Sequence, residues 1–239
     1  MRFSLTKFGA AIVSAALLVG QAAWAAPITP GGDTFGTVTT LGSGPVTFGG
    51  SGIPTDSTVI STFMLGNETI RIGMSATPRF SSPALGNDGI GTFTTTAGES
   101  DPGLSKWNFS FFVESTGLLN GAGIKLYYDF DPAAGTDLAD MGIIDISAFL
   151  LATAPTATVA QDSQNLGFPY LATSSFFVSP PTFPSFDLFA AGEYSFKLVA
   201  SNGQGVAMNV NVAAVPLPAG LPLLLGALSG LVWLRRRKT

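Results

Sequence analysis

Apolar side chains recur at every second position through the middle of this 239-residue chain. In the clearest segment, Trp107, Phe109, Phe111 and Val113 alternate with residues that are polar, except for Phe112. A repeat of two is the period of a β-strand, whose successive side chains point to opposite faces, and it does not fit a helix. The pattern therefore predicts a β-sheet with one buried face and one face in water.

The same alternation predicts further strands. Three more segments repeat it clearly: Ile124, Leu126, Tyr128 and Phe130; Tyr194, Phe196 and Leu198; and Val206, Met208, Val210 and Val212. Weaker strands, rich in threonine and β-branched residues, are predicted over residues 35–41, 58–64, 69–74 and 90–96. Glycine or proline separates most of these segments, as expected where the chain turns between strands.

The number of strands indicates the fold class. Asn202 and Gly203 tolerate the positive φ of a tight turn, so residues 201–205 predict a hairpin and antiparallel pairing of the last two clear strands. Many short strands and little helix favour an all-β fold. Because one sheet could not cover so many aromatic side chains, we expect an antiparallel β-sandwich, jelly-roll or immunoglobulin-like, over residues 26–214.

One stretch of the middle is less regular. A short helix is predicted over residues 145–151, where Asp145 is suited to cap its N-terminus, although a strand fits nearly as well. Residues 151–186 are rich in alanine, threonine, serine and proline. They are predicted to form long loops over the sheets, with one strand at residues 175–179.

The composition excludes several kinds of chemistry. Cysteine and histidine are both absent from the chain. Without them there is no thiolate nucleophile, no disulfide, no Ser-His-Asp triad and no zinc site built from these residues. The carboxylates show no motif that would pair two of them for glycoside hydrolysis. We therefore expect a protein that is not an enzyme.

Residues 1–25 have the organisation of a secretory signal peptide. Arg2 and Lys7 precede an uncharged, apolar run at residues 8–19, and the small residues Ala23 and Ala25 follow. This run is too short to span a membrane comfortably, and small residues at these two positions suit signal peptidase. We expect cleavage after Ala25 and export of the chain.

Residues 215–239 combine a proline motif, an uncharged apolar segment at residues 220–234, and a basic cluster. The motif consists of Val215, Pro216, Leu217, Pro218 and Ala219, and the basic cluster of Arg235, Arg236, Arg237 and Lys238. As a helix, the apolar segment reaches about 22 Å against a hydrocarbon core of about 30 Å. It therefore predicts a minimal transmembrane helix, with the basic cluster as a membrane stop that snorkels to the interface.

The distribution of charge supports export of the middle of the chain. Basic residues at both ends favour the cytoplasmic side of the inner membrane, which places residues 26–214 on the other side. That part holds fifteen acidic residues and five basic ones, a net charge of −10. An acidic surface disfavours nucleic acid and anionic lipid as partners.

The C-terminal pattern is similar to the VPLPA type of the PEP-CTERM sorting signal, found in exosortase substrates of Gram-negative bacteria. The resemblance rests on the proline motif at residues 215–219 followed by the apolar segment and the basic cluster. It implies that an exosortase-like transpeptidase cuts at the motif and releases the exported part from a temporary anchor. A permanent single-pass anchor is the alternative.

The exported middle is also similar to a group of PEP-CTERM proteins. The shared phrases are residues 49–54, 76–80, 107–109, 128–132, 164–168 and 192–196. They are spread over most of the exported region. This resemblance implies membership of the group and carries no activity with it.

Four carboxylates lie close together in the sequence, at Asp129, Asp131, Asp137 and Asp140. Counted from the first, they occupy positions 1, 3, 9 and 12 of an EF-hand loop, whose ligands are oxygen atoms. Alanine stands where such a loop needs glycine, and no helices are predicted on either side. An acidic loop in solvent is the simpler interpretation, a calcium site of another type is the alternative, and no other cofactor is expected.

Exposed aromatic side chains are the second candidate site, because β-sandwiches commonly hold sugars on such rings. The candidates are Trp107, Phe112, Tyr127, Tyr170 and Phe177. Trp107 lies on the apolar face of its strand, which favours a place in the core. Tyr127 lies on the opposite face from its two neighbours and is the stronger candidate for the surface.

Together, these patterns predict an exported protein of the cell surface or extracellular matrix with a structural or adhesive role. Its expected partners are signal peptidase, an exosortase-like sorting enzyme and, transiently, the inner membrane. Exopolysaccharide is a further candidate partner, and nucleic acid is not expected. The alternative function is a carbohydrate- or calcium-binding surface module.

Overall fold

The computed structural model describes residues 28–80 and 84–215, and strands dominate this part of the chain. The strands are β1 (Thr34–Gly36), β2 (Thr58–Leu65), β3 (Glu68–Pro78), β4 (Gly86–Asn87), β5 (Thr92–Thr96), β6 (Glu99–Asp101), β7 (Leu104–Ser105), β8 (Trp107–Ser115), β9 (Lys125–Tyr128), β10 (Gly142–Asp145), β11 (Val159–Gln164), β12 (Val178–Ser179), β13 (Gly192–Val199) and β14 (Gly205–Ala213). The helical elements are α1 (Ile146–Thr153) and two short 3₁₀ helices, Leu119–Gly121 and Pro169–Ala172. The predicted all-β class is confirmed.

The strands form two large sheets. One has five strands in the order β1-β2-β3-β8-β11, and the other has seven in the order β12-β10-β9-β13-β14-β5-β4. β6 and β7 pair with each other as a separate ribbon. Among the described residues, neighbouring strands run antiparallel except β5 and β14, which are parallel with Phe93 opposite Val210. The predicted hairpin is present, since β13 and β14 pair antiparallel on either side of residues 201–205.

The main core lies between the two sheets, because the apolar faces of their alternating strands turn toward each other. Trp107 and Phe109 of β8 contact Phe196 of β13, with ring centroids 6.0 and 4.8 Å apart. All three side chains are buried. The core position that the sequence favours for Trp107 is therefore confirmed. Burial of a side chain of this size contributes about 1.5–3 kcal/mol, and this layer of rings therefore holds the sheets together.

Phe112, the one apolar residue on the other face of β8, is also fully buried. Val38, Val46 and Phe48, from the segment between β1 and β2, pack on it and form a second, smaller core. The prediction that this face of β8 lies in water is therefore wrong at Phe112, because the segment between β1 and β2 covers it. The same cover removes Phe112 from the candidates for a carbohydrate platform.

Three segments show where local pattern and structure differ. The strand expected over residues 35–41 ends at Gly36, because the chain leaves the sheet to cover Phe112. Residues 151–186 were expected to be loops with one strand, but they contain β11, which pairs with β8 through the main chain. Only the last two residues of the strand expected at residues 175–179 are extended, as β12.

Most predictions about the two ends of the chain concern residues outside the described part of the structure. Residues outside the described part include those of the predicted cleavage site, sorting motif and membrane stop, namely Ala23, Ala25, Pro216, Leu217, Pro218, Ala219, Arg235, Arg236, Arg237 and Lys238. Among residues 28–80 and 84–215, no helix has the length and apolar character needed to cross a membrane. Both sheets lie within residues 28–215.

Candidate functional site

The four aspartates of the acidic run line one cleft, here called the acidic cleft. The chain leaves β9 at Tyr128 and places Asp129, Asp131, Asp137 and Asp140 around the opening before it enters β10. Residues 182–184 close the other side, and the volume is about 560 Å³. The structure thus brings together all four carboxylates that the sequence singled out.

Three carboxylates of the acidic cleft each hold their own turn in place, and the fourth, Asp140, binds the opposite side of the cleft. Oδ1 of Asp129 accepts the N–H of Asp131 at 2.8 Å, and Oδ1 of Asp131 accepts the N–H of Ala133 at 2.9 Å. Oδ1 of Asp137 accepts the N–H of Ala139 at 3.0 Å. Oδ1 of Asp140 accepts the hydroxyl of Thr182 at 3.1 Å. These turns fix the loop and leave the second carboxylate oxygens for other partners.

Asp129 differs from the other three because its side chain is buried, with 1% of its surface exposed. Its Oδ2 atom has no hydrogen-bond partner among the described residues. Burial raises the pKa of Asp129 to about 6, and the charge of Asp131 adds to the increase, while the hydroxyl of Thr136 and the N–H groups of Asp131 and Ser195 partly offset it. A buried carboxylate with one oxygen left without a hydrogen bond is costly, so this residue is poised to take either a proton or a cation.

The acidic run does not adopt the EF-hand conformation. The left-handed position is Gly135, with φ of 81°, one residue after Ala134, where an EF-hand has glycine. Within the described part of the chain, no three carboxylates form a group that could hold one metal ion. An ion bound here would have to combine Asp129 with main-chain or hydroxyl oxygens and water.

A second cleft, here called the aromatic cleft, opens between the edge strand β11 and helix α1 and has a volume of about 520 Å³. Phe111, Ile144 and Leu150 line it and are nearly buried. Phe149 and Tyr170 also line it, and they are 40% and 36% exposed. The cleft is therefore apolar inside and aromatic at its mouth.

Polar groups of β11 complete the wall of the aromatic cleft. Tyr170 donates its hydroxyl to Oε1 of Gln164, and Nε2 of Gln164 donates to Oδ2 of Asp162 at 2.6 Å. Asp162 and Gln164 lie opposite Phe111 and Phe109 of β8, so they are on the face of β11 that carries the core. Burial raises the pKa of Tyr170, and the charge of Asp162 raises it further, so the phenol stays a neutral donor.

The predicted aromatic platform is only partly assembled. Tyr170 and Phe177 both line the aromatic cleft, while Trp107 and Phe112 are in the two cores. Tyr127 is half-buried on β9. Of the five aromatic residues considered for carbohydrate binding, Tyr170 and Phe177 are therefore the two that share a cleft.

The polar residues of the aromatic cleft could not be recognised from the sequence pattern. β11 is a mainly polar strand in which apolar residues do not alternate, so Asp162 and Gln164 were not selected as inward-facing residues. Phe149 belongs to a helix whose apolar residues lie on all sides. Only the pairing of β11 with β8 brings these side chains to the same opening.

Known proteins give no further guide to these clefts. Comparison of the chain with protein families, with curated proteins and with solved structures found no match. The two clefts therefore have to be interpreted from their own residues.

Proposed function

We propose that this chain is an exported protein of the cell surface or extracellular matrix, with a β-sandwich of jelly-roll or immunoglobulin type and a structural or adhesive role. A signal peptide directs its export, and the apolar segment at residues 220–234 anchors it temporarily in the inner membrane. An exosortase-like transpeptidase then cuts at residues 215–219 and releases the sandwich. The order of proline motif, apolar segment and basic cluster supports this route.

The observation that carries the proposal is the position of the motif relative to the fold. The last strand, β14, ends at Ala213, and the motif begins two residues later at Val215, which is 53% exposed. A processing enzyme needs an accessible, extended main chain. Prolines at positions 216 and 218 disfavour helix at this point. Cleavage there would leave both sheets whole.

The test is mass spectrometry of the mature C-terminus in a host that contains an exosortase. The expected product ends within residues 215–219, and Pro216→Ala with Pro218→Ala slows its formation and retains the chain in the membrane fraction. Pro180→Ala, at an exposed position inside the fold, is the matched control and should be processed normally. Recovery of mature chains that still carry Arg235 to Lys238 would instead indicate a permanent anchor.

A calcium-binding surface module is the second candidate function, and buried Asp129 favours it. Asp129 lines a cleft with three further carboxylates, its buried Oδ2 has no hydrogen-bond partner among the described residues, and calcium binds oxygen ligands. Extracellular calcium is about millimolar, so even a weak site would fill.

Isothermal titration with calcium chloride tests this candidate. The expected result is one site, which Asp129→Asn weakens at least about tenfold by removing a ligand charge. Asp56→Asn, at an exposed position outside the cleft, is the control and should bind normally. No heat of binding at millimolar calcium would exclude the module.

A further inference from the structure

Five aromatic rings form a row of which Phe149, Tyr170 and Phe177 line the aromatic cleft, while Phe168 and Phe176 lie beside it. Phe149 lies 5.0 Å from Phe177, Phe177 lies 6.4 Å from Tyr170, and Tyr170 is stacked on Phe168 at 6.2 Å between centroids. Phe176, which is 66% exposed, lies against Phe177 at 5.0 Å. Rings that serve only as core are normally covered, and this row leaves much of its surface open to solvent.

Polar groups of β11 lie beside the row and offer hydrogen bonds to the cleft. Gln164 is held from both sides, by the hydroxyl of Tyr170 and by the carboxylate of Asp162. Oδ1 of Asp162 accepts the N–H of Ser163 at 2.8 Å, so the carboxylate is fixed as well. Groups that are already oriented can bind a ligand without the entropy cost of ordering them.

These two walls require a ligand with two kinds of surface. A purely apolar molecule would remove the charged carboxylate of Asp162 from water and add no hydrogen bond to those from Ser163 and Gln164, which is costly. A purely polar molecule would leave the exposed rings of Phe149 and Tyr170 in contact with water. A sugar ring meets both requirements, because its C–H face packs on an aromatic ring and its hydroxyls donate to carboxylate and amide oxygens.

The charge of the cleft narrows the class of sugar. Asp162 is acidic, and none of the described residues that line the cleft is basic. The exported part of the chain has a net charge of −10, with fifteen acidic residues and five basic ones. Uronic acids and sulfated sugars would therefore be repelled, and a neutral sugar is favoured. Inside the cleft, Phe111 and Ile144 offer apolar contacts to a methyl group, such as that of an N-acetyl substituent.

We propose that the aromatic cleft binds a neutral polysaccharide, with sugar rings stacked along the row from Phe149 to Phe168 and hydroxyls bonded to Asp162 and Gln164. One N-acetylated sugar would insert its methyl group beside Phe111 and Ile144. The volume of about 520 Å³ accommodates one or two rings, and the row extends the contact along the chain of the polysaccharide. This inference goes beyond the sorting proposal and does not depend on it.

Isothermal titration of the full-length chain in lipid nanodiscs tests the proposal with three probes: the trimer of N-acetylglucosamine, cellotriose and trigalacturonate. The expected order of affinity is N-acetylated trimer, then cellotriose, with no binding of the acidic trimer. Asp162→Ala and Tyr170→Ala should each weaken binding of the N-acetylated trimer at least about tenfold, since each removes a hydrogen-bonding or stacking group. Phe149→Ala, at an exposed position on the surface of α1, provides a third variant if Tyr170→Ala lowers the melting temperature.

The matched control is Phe189→Ala, because Phe189 is 65% exposed and does not line the cleft. It should bind the trimer as tightly as the unaltered chain does. Binding that is unchanged in Asp162→Ala and Phe149→Ala would overturn the proposal. So would binding of a fatty acid, tested as laurate, with no binding of either neutral sugar, because the cleft would then be a site for apolar molecules.

Discussion

The side chain of Asn165 is bound to the main chain of Ser105 on both sides. Its Oδ1 accepts the N–H of Ser105 at 3.0 Å, and its Nδ2 donates to the carbonyl of Ser105 at 3.1 Å. Nδ2 also donates to the carbonyl of Trp107 at 3.0 Å and to Oδ1 of Asn108 at 2.7 Å. Asn165 is fully buried, so one amide joins the end of β11 to the start of β8.

Asn165→Ala is therefore expected to lower the free energy of unfolding by about 3 kcal/mol. The substitution leaves buried donors and acceptors without partners, and each such group costs about 1–3 kcal/mol. Urea unfolding of the fragment 28–215, which contains both sheets, measures the change. Asn202→Ala, at an exposed turn between β13 and β14, is the control and should cost less than about 1 kcal/mol. Equal losses for the two variants would show that the buried amide has no special role.

The sequence allowed the main strands to be predicted because their apolar residues alternate. β8, β13 and β14 each turn an alternating apolar face to the main core, and their limits fall within two residues of the predicted segments. β11 could not be predicted in this way. It is an edge strand of polar residues, and its position depends on main-chain pairing with β8 and on Asn165, neither of which produces a periodic pattern.

The two clefts also differ in how far the sequence allowed them to be predicted. The carboxylates of the acidic cleft are close in sequence, so their grouping was visible before the fold was known. The aromatic cleft draws Phe111, Phe149 and Tyr170 from a strand, a helix and a 3₁₀ helix. Residues that converge through such tertiary packing carry no spacing that could be recognised in the sequence.

Phe112→Ala is expected to loosen the segment between β1 and β2 more than it loosens the sheets. Phe112 belongs to the small core with Val38, Val46 and Phe48, on the opposite face from the main core. Amide hydrogen exchange should therefore accelerate over residues 38–56 and stay slow in β13 and β14. Phe109→Ala, in the main core, is the comparison and should accelerate exchange in both sheets, at a cost of about 3–5 kcal/mol. Identical exchange patterns for the two variants would contradict the separation of the cores.

Asp129 is expected to make the stability of the fold depend on pH. The pKa of its carboxyl is about 6 in the folded chain, through burial, against an ordinary value of 3.8. Between these values the folded chain keeps a proton that the unfolded chain has lost, so the free energy of unfolding falls as the pH rises, by about 3 kcal/mol in all. Urea unfolding in EDTA from pH 4 to pH 7 measures the slope.

Asp129→Asn isolates this contribution from those of the other carboxylates. The variant lacks the titrating group, so its free energy of unfolding should decline less between pH 4 and pH 6 than that of the unaltered chain. At pH 7 the variant should be the more stable of the two, because it avoids a buried charge without a hydrogen-bond partner at Oδ2. Parallel pH curves for the two chains would exclude the elevated pKa.

Asp145 is expected to stabilise α1 as a cap and only weakly as a charge. Its Oδ1 accepts the N–H of Ala148 at 2.8 Å, whereas its Oδ2 lies 3.8 Å from Nζ of Lys125 in a partly exposed pair. Asp145→Ala should lower the free energy of unfolding by about 1 kcal/mol, the usual value of an N-cap. Asp145→Asn keeps the cap and loses the charge, so its cost should stay below about 0.5 kcal/mol, since exposed ion pairs contribute little. Urea unfolding of both variants separates the two contributions. A large loss of unfolding free energy in Asp145→Asn would show that the ion pair with Lys125, and not the cap, stabilises α1.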